Sequence, residues 1–318
     1  MFIFNSIIIS LFKFSDESRG TVSPMLDQEQ NLKTLLSIDG GGALGIGPAE
    51  FLARLECLPS PVQHALDNVD AYAGSSVGAL LVALKATDRD WREIREIFLK
   101  ECPNIFAKPS LAWRLNPWKP KYDNKELKAV AQRYFGMLAM SDLHKPVFLT
   151  SFDFTTGQPK IWDRTDNVPV WWAVLTSTAA PTYFPVIDNR YSDGGLVANN
   201  PSMIGLAACI RQLGWRLEDT RCLSFGTNGK KWKKPKVDKI TKIGWLSPLI
   251  KAYFDGGEER DIYETHAMLD RQFLRIEPRL RHEYEMDDVV AALSSYRKIW
   301  DRLFEEDKDI VIDWLLNV

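Results

Sequence analysis

The sequence has no run of 18 consecutive apolar residues, which excludes a helix that crosses a bilayer. Its four cysteines, Cys57, Cys102, Cys209 and Cys222, include no CxxC pair. That excludes a disulfide framework and a zinc ribbon, and it points to a reducing compartment. Charge of one sign is missing as well: 40 Lys and Arg against 42 Asp and Glu leave a net charge of -2. Such a balance argues against a dedicated binder of nucleic-acid polymers. No internal repeat, low-complexity tract or P-loop is present, and no His or carboxylate cluster has metal-ligand spacing, so neither a metal nor an organic cofactor is expected. What remains is ordinary globular material, 45% hydrophobic and 26% charged. At 318 residues it is long enough for one large α/β domain, or a domain with a subdomain.

Residues 1–30 stand apart. The segment MFIFNSIIISLFKF has an apolar centre, but no basic residues precede it and no small-residue cleavage site follows. It fits a signal peptide poorly and is read as an extension outside the fold, with Met25 as an alternative start. From Leu32 the pattern becomes strand, glycine-rich turn, helix: an apolar run to Ile38, a break at Asp39–Gly42, then helix over Pro48–Leu58. The unit repeats with Val69–Ala73, a break at Gly74–Ser76, and helix over Val77–Lys85. Two such units predict a mostly parallel sheet with functional loops at the carboxyl ends of its strands. Further strands are expected at Val147–Phe154, Pro159–Trp162, Arg190–Ser192 and Thr220–Phe225. Helices are expected at Trp91–Lys100, Lys125–Phe135, Ser202–Leu213 and Asp261–Phe273. Near the end Val289, Leu293, Tyr296, Trp300 and Leu303 recur at helical spacing.

Glycine is average in number, at 19, but not in placement. Gly74-Ser75-Ser76-Val77-Gly78 fits G-x-S-x-G. Small residues two before and two after a serine let the chain turn sharply from strand to helix, so that Oγ projects clear of the sheet. Asp39-Gly40-Gly41-Gly42-Ala43-Leu44-Gly45 places successive backbone N–H groups after a strand, which suits an oxyanion hole or a phosphate cradle. Gly40, Gly42 and Gly45 also satisfy G-x-G-x-x-G literally. The dinucleotide fingerprint, however, wants an acidic residue at the end of the second strand, where this chain has Ala73-Gly74-Ser75. Asp193, followed by Gly194 and Gly195, lies at a predicted strand end; standing alone it would read as an Asp-Gly turn.

Together, and in this order, these motifs resemble the patatin-like phospholipase family. Thr178-Ala179-Ala180-Pro181-Thr182-Tyr183-Phe184-Pro185 is similar to the segment those proteins carry shortly before their Asp-Gly-Gly. The resemblance covers roughly residues 32–229. It implies a three-layer α/β/α fold with a mostly parallel central sheet, and a Ser76–Asp193 dyad without histidine that hydrolyses lipid acyl esters. In that chemistry Ser76 attacks the ester carbonyl while Asp193 takes its proton and returns it to the leaving alcohol. Gly40, Gly41 and Gly42 would hold the oxyanion. A carboxylate of ordinary pKa near 3.9 is a weak base, so burial must raise it. One position departs from the family's D-G-G-G-x-R-G: its arginine is Leu44 here, which removes a guanidinium from the loop and opens a non-catalytic lipid-binding module as an alternative.

A Ser-His-Asp esterase is the rival among enzymes. Of His64, His144, His266 and His282 only the last two come late enough in the chain, and His266 falls among charges in a helical stretch. The part from 230 to 318 is expected to be a basic segment and helices packed on a catalytic domain of 31–229. Seven lysines lie between Lys230 and Lys242 around Trp232, among them Lys231, Lys233 and Lys234, and Trp245 follows. Cationic and aromatic residues so mixed suit a membrane surface or an anionic ligand, and Trp171-Trp172 is a second such place. Some bacterial patatin-like proteins are switched on by cyclic nucleotides in antiviral defence, which the resemblance extends to this chain. The partners expected are a phospholipid or lysophospholipid substrate, a peripheral membrane surface, a small anionic regulator and a second copy of the chain. The expected location is cytoplasmic, at the membrane face.

Overall fold

The computed structural model describes residues 32–116, 119–227 and 246–317. The expectations for residues 1–30, for Lys230, Lys231, Trp232, Lys233 and Lys234 with the rest of the lysine run, and for Trp245 lie outside the described residues. Among those described, seven strands form one sheet: β1 (Lys33–Ile38), β2 (Ala71–Gly74), β3 (Val147–Asp153), β4 (Gln158–Trp162), β5 (Tyr191–Asp193), β6 (Thr220–Phe225) and β7 (Phe273–Ile276). The order is β4-β3-β2-β1-β6-β7, with β5 paired to β3. All neighbours are parallel except β4 and β5, which run antiparallel to β3. Pro159 is tolerated because β4 is an edge strand, where a missing N–H costs no ladder bond.

Both faces of the sheet are covered, as a parallel sheet requires. Alternate residues of a strand therefore join different cores. Leu35, Ala71, Ala73 and Cys222 pack with α8 (Ser202–Leu213) and α9 (Leu246–Leu269) on one side. Leu36, Ile38, Tyr72 and Leu223 pack on the other, with α1 (Ile46–Glu56), α3 (Val77–Lys85) and α4 (Trp91–Ile105). The remaining helices are α2 (Ser60–Asp67), α5 (Leu111–Leu115), α6 (Lys125–Phe135), α7 (Val170–Ser177), α10 (Val289–Ala291) and α11 (Arg297–Leu316). The fold is thus mixed α/β in three layers, with helices at its C-terminal end.

The periodic face read near the C-terminus holds. Tyr296, Trp300 and Leu303 are buried, and Val289 and Leu293 are packed against the core. Trp300 and Phe304 meet Phe51 of α1 edge-on, at ring separations of 6.1 and 5.0 Å. Two readings change. The helix expected over Asp261–Phe273 stops at Leu269, and β7 follows a single turn, a strand too short and too close to a helical pattern to be read from periodicity. Helix α4 runs on to Ile105 with Pro103 in its last turns, beyond the expected Lys100.

Candidate active site

The nucleophile turn is built by close approach of backbones. Ser76 caps α3 with φ 51° and ψ -122°, a conformation unfavourable for a residue with a side chain. The turn survives because α3 lies hard against the end of β1: any side chain at Gly78 would run into the Ile38 carbonyl. The Ser76 N–H donates to Ser177 Oγ of α7 at 3.2 Å, which ties the strained residue down from the other side. Its side chain then stands at the positive end of a nine-residue helix.

Sheet topology brings Asp193 to it. On one edge of β3 sits β4, opposite residues 149–153. On the other edge β2 pairs only as far as Gly74 with Leu149, and β5 continues that edge with Asp193 opposite Ser151. Asp193 therefore occupies the place β2 vacates when its chain turns off through Ser75 and Ser76. The Thr178–Pro185 segment steadies this short strand: the Ala179 carbonyl accepts from the Asp193 N–H at 3.0 Å and the Ser192 hydroxyl at 2.9 Å. Asp193 Oδ1 accepts from the Gly195 N–H at 2.7 Å, while buried Oδ2 lacks a well-aligned donor. Burial pushes this carboxyl up to about 7, against the opposing pull of the Gly195 N–H and the Ser76 hydroxyl. A carboxylate so perturbed beside a serine is equipped to take a proton near neutral pH.

The glycine loop lies against Ser76, since a Cβ on Gly40 would stand 3.2 Å from Ser76 Cβ. Its donors are unequally free. The Gly40 N–H is engaged by the Asn199 carbonyl at 3.1 Å, and the Ala43 N–H by the Met286 carbonyl at 2.7 Å. Those of Gly41 and Gly42 have no acceptor among the described residues. Gly42 has φ 57° and lies under the Met286 carbonyl, two reasons why no other residue fits there. Gly45 sits against Val77, which joins the loop to α3.

Asp39, which opens the loop, is fully buried. Arg275 of β7 grips it with both ends of its guanidinium, Nη1 to Oδ1 at 2.9 Å and Nη2 to Oδ2 at 2.5 Å. Nη2 also reaches Glu258 of α9 at 3.2 Å and Glu277 at 3.3 Å. Asn199 Nδ2 donates to Glu258 at 2.7 Å and closes the ring, because its carbonyl holds Gly40. Burial raises Asp39 to about 7 and raises Glu258 as well, with Arg275 pulling both down. Leu44, where the family pattern has arginine, is buried in the core. Sequence reading missed Arg275, Glu258 and Met286. The one signal available was an isolated arginine in the apolar run Phe273-Leu274-Arg275-Ile276.

A half-open cleft lined by Ser76 lies beside the nucleophile turn. Its walls include Gly42, Val77, Leu80 and Leu84, Ile97, Phe98 and Ile105 of α4, and Phe106, Phe184 and Met286. Almost all of this is hydrocarbon. The four histidines are elsewhere: each is exposed, His144 beside Asp88 and His282 against Tyr284. No group of acidic, His or Cys side chains among the described residues could hold a metal. Trp172 packs with Trp162 and Tyr191 and donates to Asp188, so it serves the fold.

The description "Patatin-like phospholipase" belongs to the family model that matches residues 36–205. A cGAMP-activated phospholipase of Vibrio cholerae is 29% identical over 255 residues, 70% of this chain and 72% of that protein. Patatin-like protein 2 of Arabidopsis thaliana is 32% identical over 294 residues, 75% of this chain and 72% of that one. A cGAMP-activated phospholipase of Escherichia coli is 30% identical over 224 residues, 62% of each chain. The motifs, the fold that joins them and these likenesses agree: the chain belongs to the patatin-like phospholipase family.

Proposed function

We propose that this protein is a serine acyl hydrolase that releases fatty acid from membrane phospholipids or lysophospholipids. The observation that carries the reading is a strained serine at a helix N-terminus, lining an apolar cleft and beside a buried carboxyl raised to about 7. Ser76 attacks the ester carbonyl, and its proton passes to Asp193. The N–H groups of Gly41 and Gly42 receive the oxyanion, Gly40 serving only to hold the loop. Asp193 returns the proton to the leaving alcohol, and water then resolves the acyl-enzyme by the same route. The apolar cleft takes the acyl chain.

Incubation with mixed phospholipid vesicles and mass spectrometry of the released lipids tests this. Ser76→Ala should abolish fatty-acid release and p-nitrophenyl ester turnover while leaving the fold intact. Turnover at the wild-type level would end the catalytic reading and leave a lipid-binding module.

Activation by a small anionic ligand is the second reading. Two relatives carry names that make them cGAMP-activated, and the lysine run 230–242 supplies cations for such a ligand. Fatty-acid release measured with and without a panel of cyclic di- and trinucleotides decides it; equal rates throughout would remove the regulator.

A further inference from the structure

Helix α5 buries none of its side chains. Leu111 and Leu115, one turn apart and on one face, are 68% and 79% exposed. The fold gains nothing by holding two leucines in water. The described residues that carry them are nevertheless tied to the fold. Ser110 Oγ caps the helix by accepting from the Trp113 N–H at 3.1 Å, and the Ser110 N–H donates to the Lys121 carbonyl at 2.6 Å. Its two feet are Phe106 and Tyr122, whose rings meet at 5.4 Å, and Tyr122 meets Phe184 at 5.6 Å. Phe106 and Phe184 are walls of the acyl cleft.

Charge on this loop has one sign. From Cys102 to Tyr122 there is no Asp or Glu. Lys108, Arg114 and Lys119 are exposed, and none forms an ion pair with a described residue. Lys121, by contrast, is committed to Asp287 and lies 5.9 Å from the Trp113 ring, which is half-buried. A pair of exposed leucines among cations that no described residue pairs complements a surface that is apolar beneath and anionic above.

We propose that α5, with Lys108, Arg114 and Lys119, is the face on which this protein rests on an anionic phospholipid bilayer, beside the cleft that receives the acyl chain. The proposal builds on the lipid-hydrolase reading and names the surface that delivers the substrate. It places docking on a different segment from the lysine run 230–242.

Sedimentation of the full chain with vesicles tests it, using phosphatidylcholine alone and phosphatidylcholine mixed with phosphatidylglycerol. The wild type should pellet with the mixed vesicles. Leu111→Asp/Leu115→Asp, and separately Lys108→Glu/Arg114→Glu/Lys119→Glu, should each weaken binding on the order of a hundredfold. Both variants should turn over p-nitrophenyl butyrate within about twofold of wild type, since α5 lies outside the core. Ser76→Ala should pellet like wild type; if it also kept ester turnover, the catalytic reading would fall while the docking face stood. A wild type that ignores both vesicles, variants that pellet normally, or a leucine variant that also loses ester turnover would each overturn the proposal.

Discussion

Asp39 and Asp193 stand at the carboxyl edge of the same sheet, are both fully buried, and are both pushed by burial to about 7. Their surroundings differ in one respect. Asp39 meets a guanidinium that satisfies both oxygens, with Glu258 and Glu277 behind it. Asp193 has one oxygen satisfied by a backbone N–H and the other turned to a serine hydroxyl. A bidentate Arg–carboxylate pair is a fixed joint, whereas a half-satisfied carboxyl keeps an oxygen free to take a proton. The pair teaches that a raised pKa locates a buried acid but does not say what the acid is for. Its partners do.

The largest effect should come from Asp193→Asn, expected to lower kcat by about 10²–10⁴ while leaving Tm unchanged or raised, because a buried carboxyl is lost without breaking an ion pair. Asp39→Asn should do the reverse in stability, since it presents an NH₂ to a guanidinium. Steady-state kinetics and calorimetry on the two variants would erase the distinction if they moved together. Next is Arg275→Met, which strands Asp39: a loss of about 3–5 kcal/mol and about 10 °C in Tm is expected. Adding Asp39→Asn to that variant should recover part of the loss, and strict additivity would remove the joint.

The pH dependence has a defined sign. As the proposed base Asp193 must be ionised, so log kcat/KM should rise with unit slope and level off above about pH 7. Stability should move the other way. A carboxyl raised from 3.8 to about 7 holds its proton longer folded than unfolded, so stability falls as pH climbs through that window. Asp193→Asn should flatten part of that decline in denaturant titrations. The smallest effect is expected of His266→Ala/His282→Ala, with activity within about twofold and stability within about 0.5 kcal/mol, both residues being exposed. Loss of esterase activity there would replace Asp193 with a histidine-based mechanism.

The legible parts of the site were those written in a few adjacent residues. Ser76 shows itself because a nucleophile turn needs Gly74 and Gly78 beside it, and Asp193 because two glycines follow it. Their meeting was not legible, since it depends on β5 taking the edge that β2 leaves free. Nor was the status of Gly40, whose N–H is spoken for by a carbonyl 159 residues away. Arg275 was hidden for two reasons: its strand is four residues long and follows a helix, and its partner is 236 positions earlier. The leucines of α5 looked like ordinary hydrophobics, because exposure is not written in residue type.

The grip of Arg275 on Asp39 also orders events in time. During synthesis the ribosome releases the nucleophile turn and then the Asp-Gly-Gly strand, yet β7 is still unmade. Until residue 275 has emerged, the aspartate that anchors the glycine loop has no guanidinium to meet. A growing chain thus holds Ser76 and Asp193 before its glycine loop is braced, and the oxyanion seat of the proposed chemistry is complete only once residue 275 is in place.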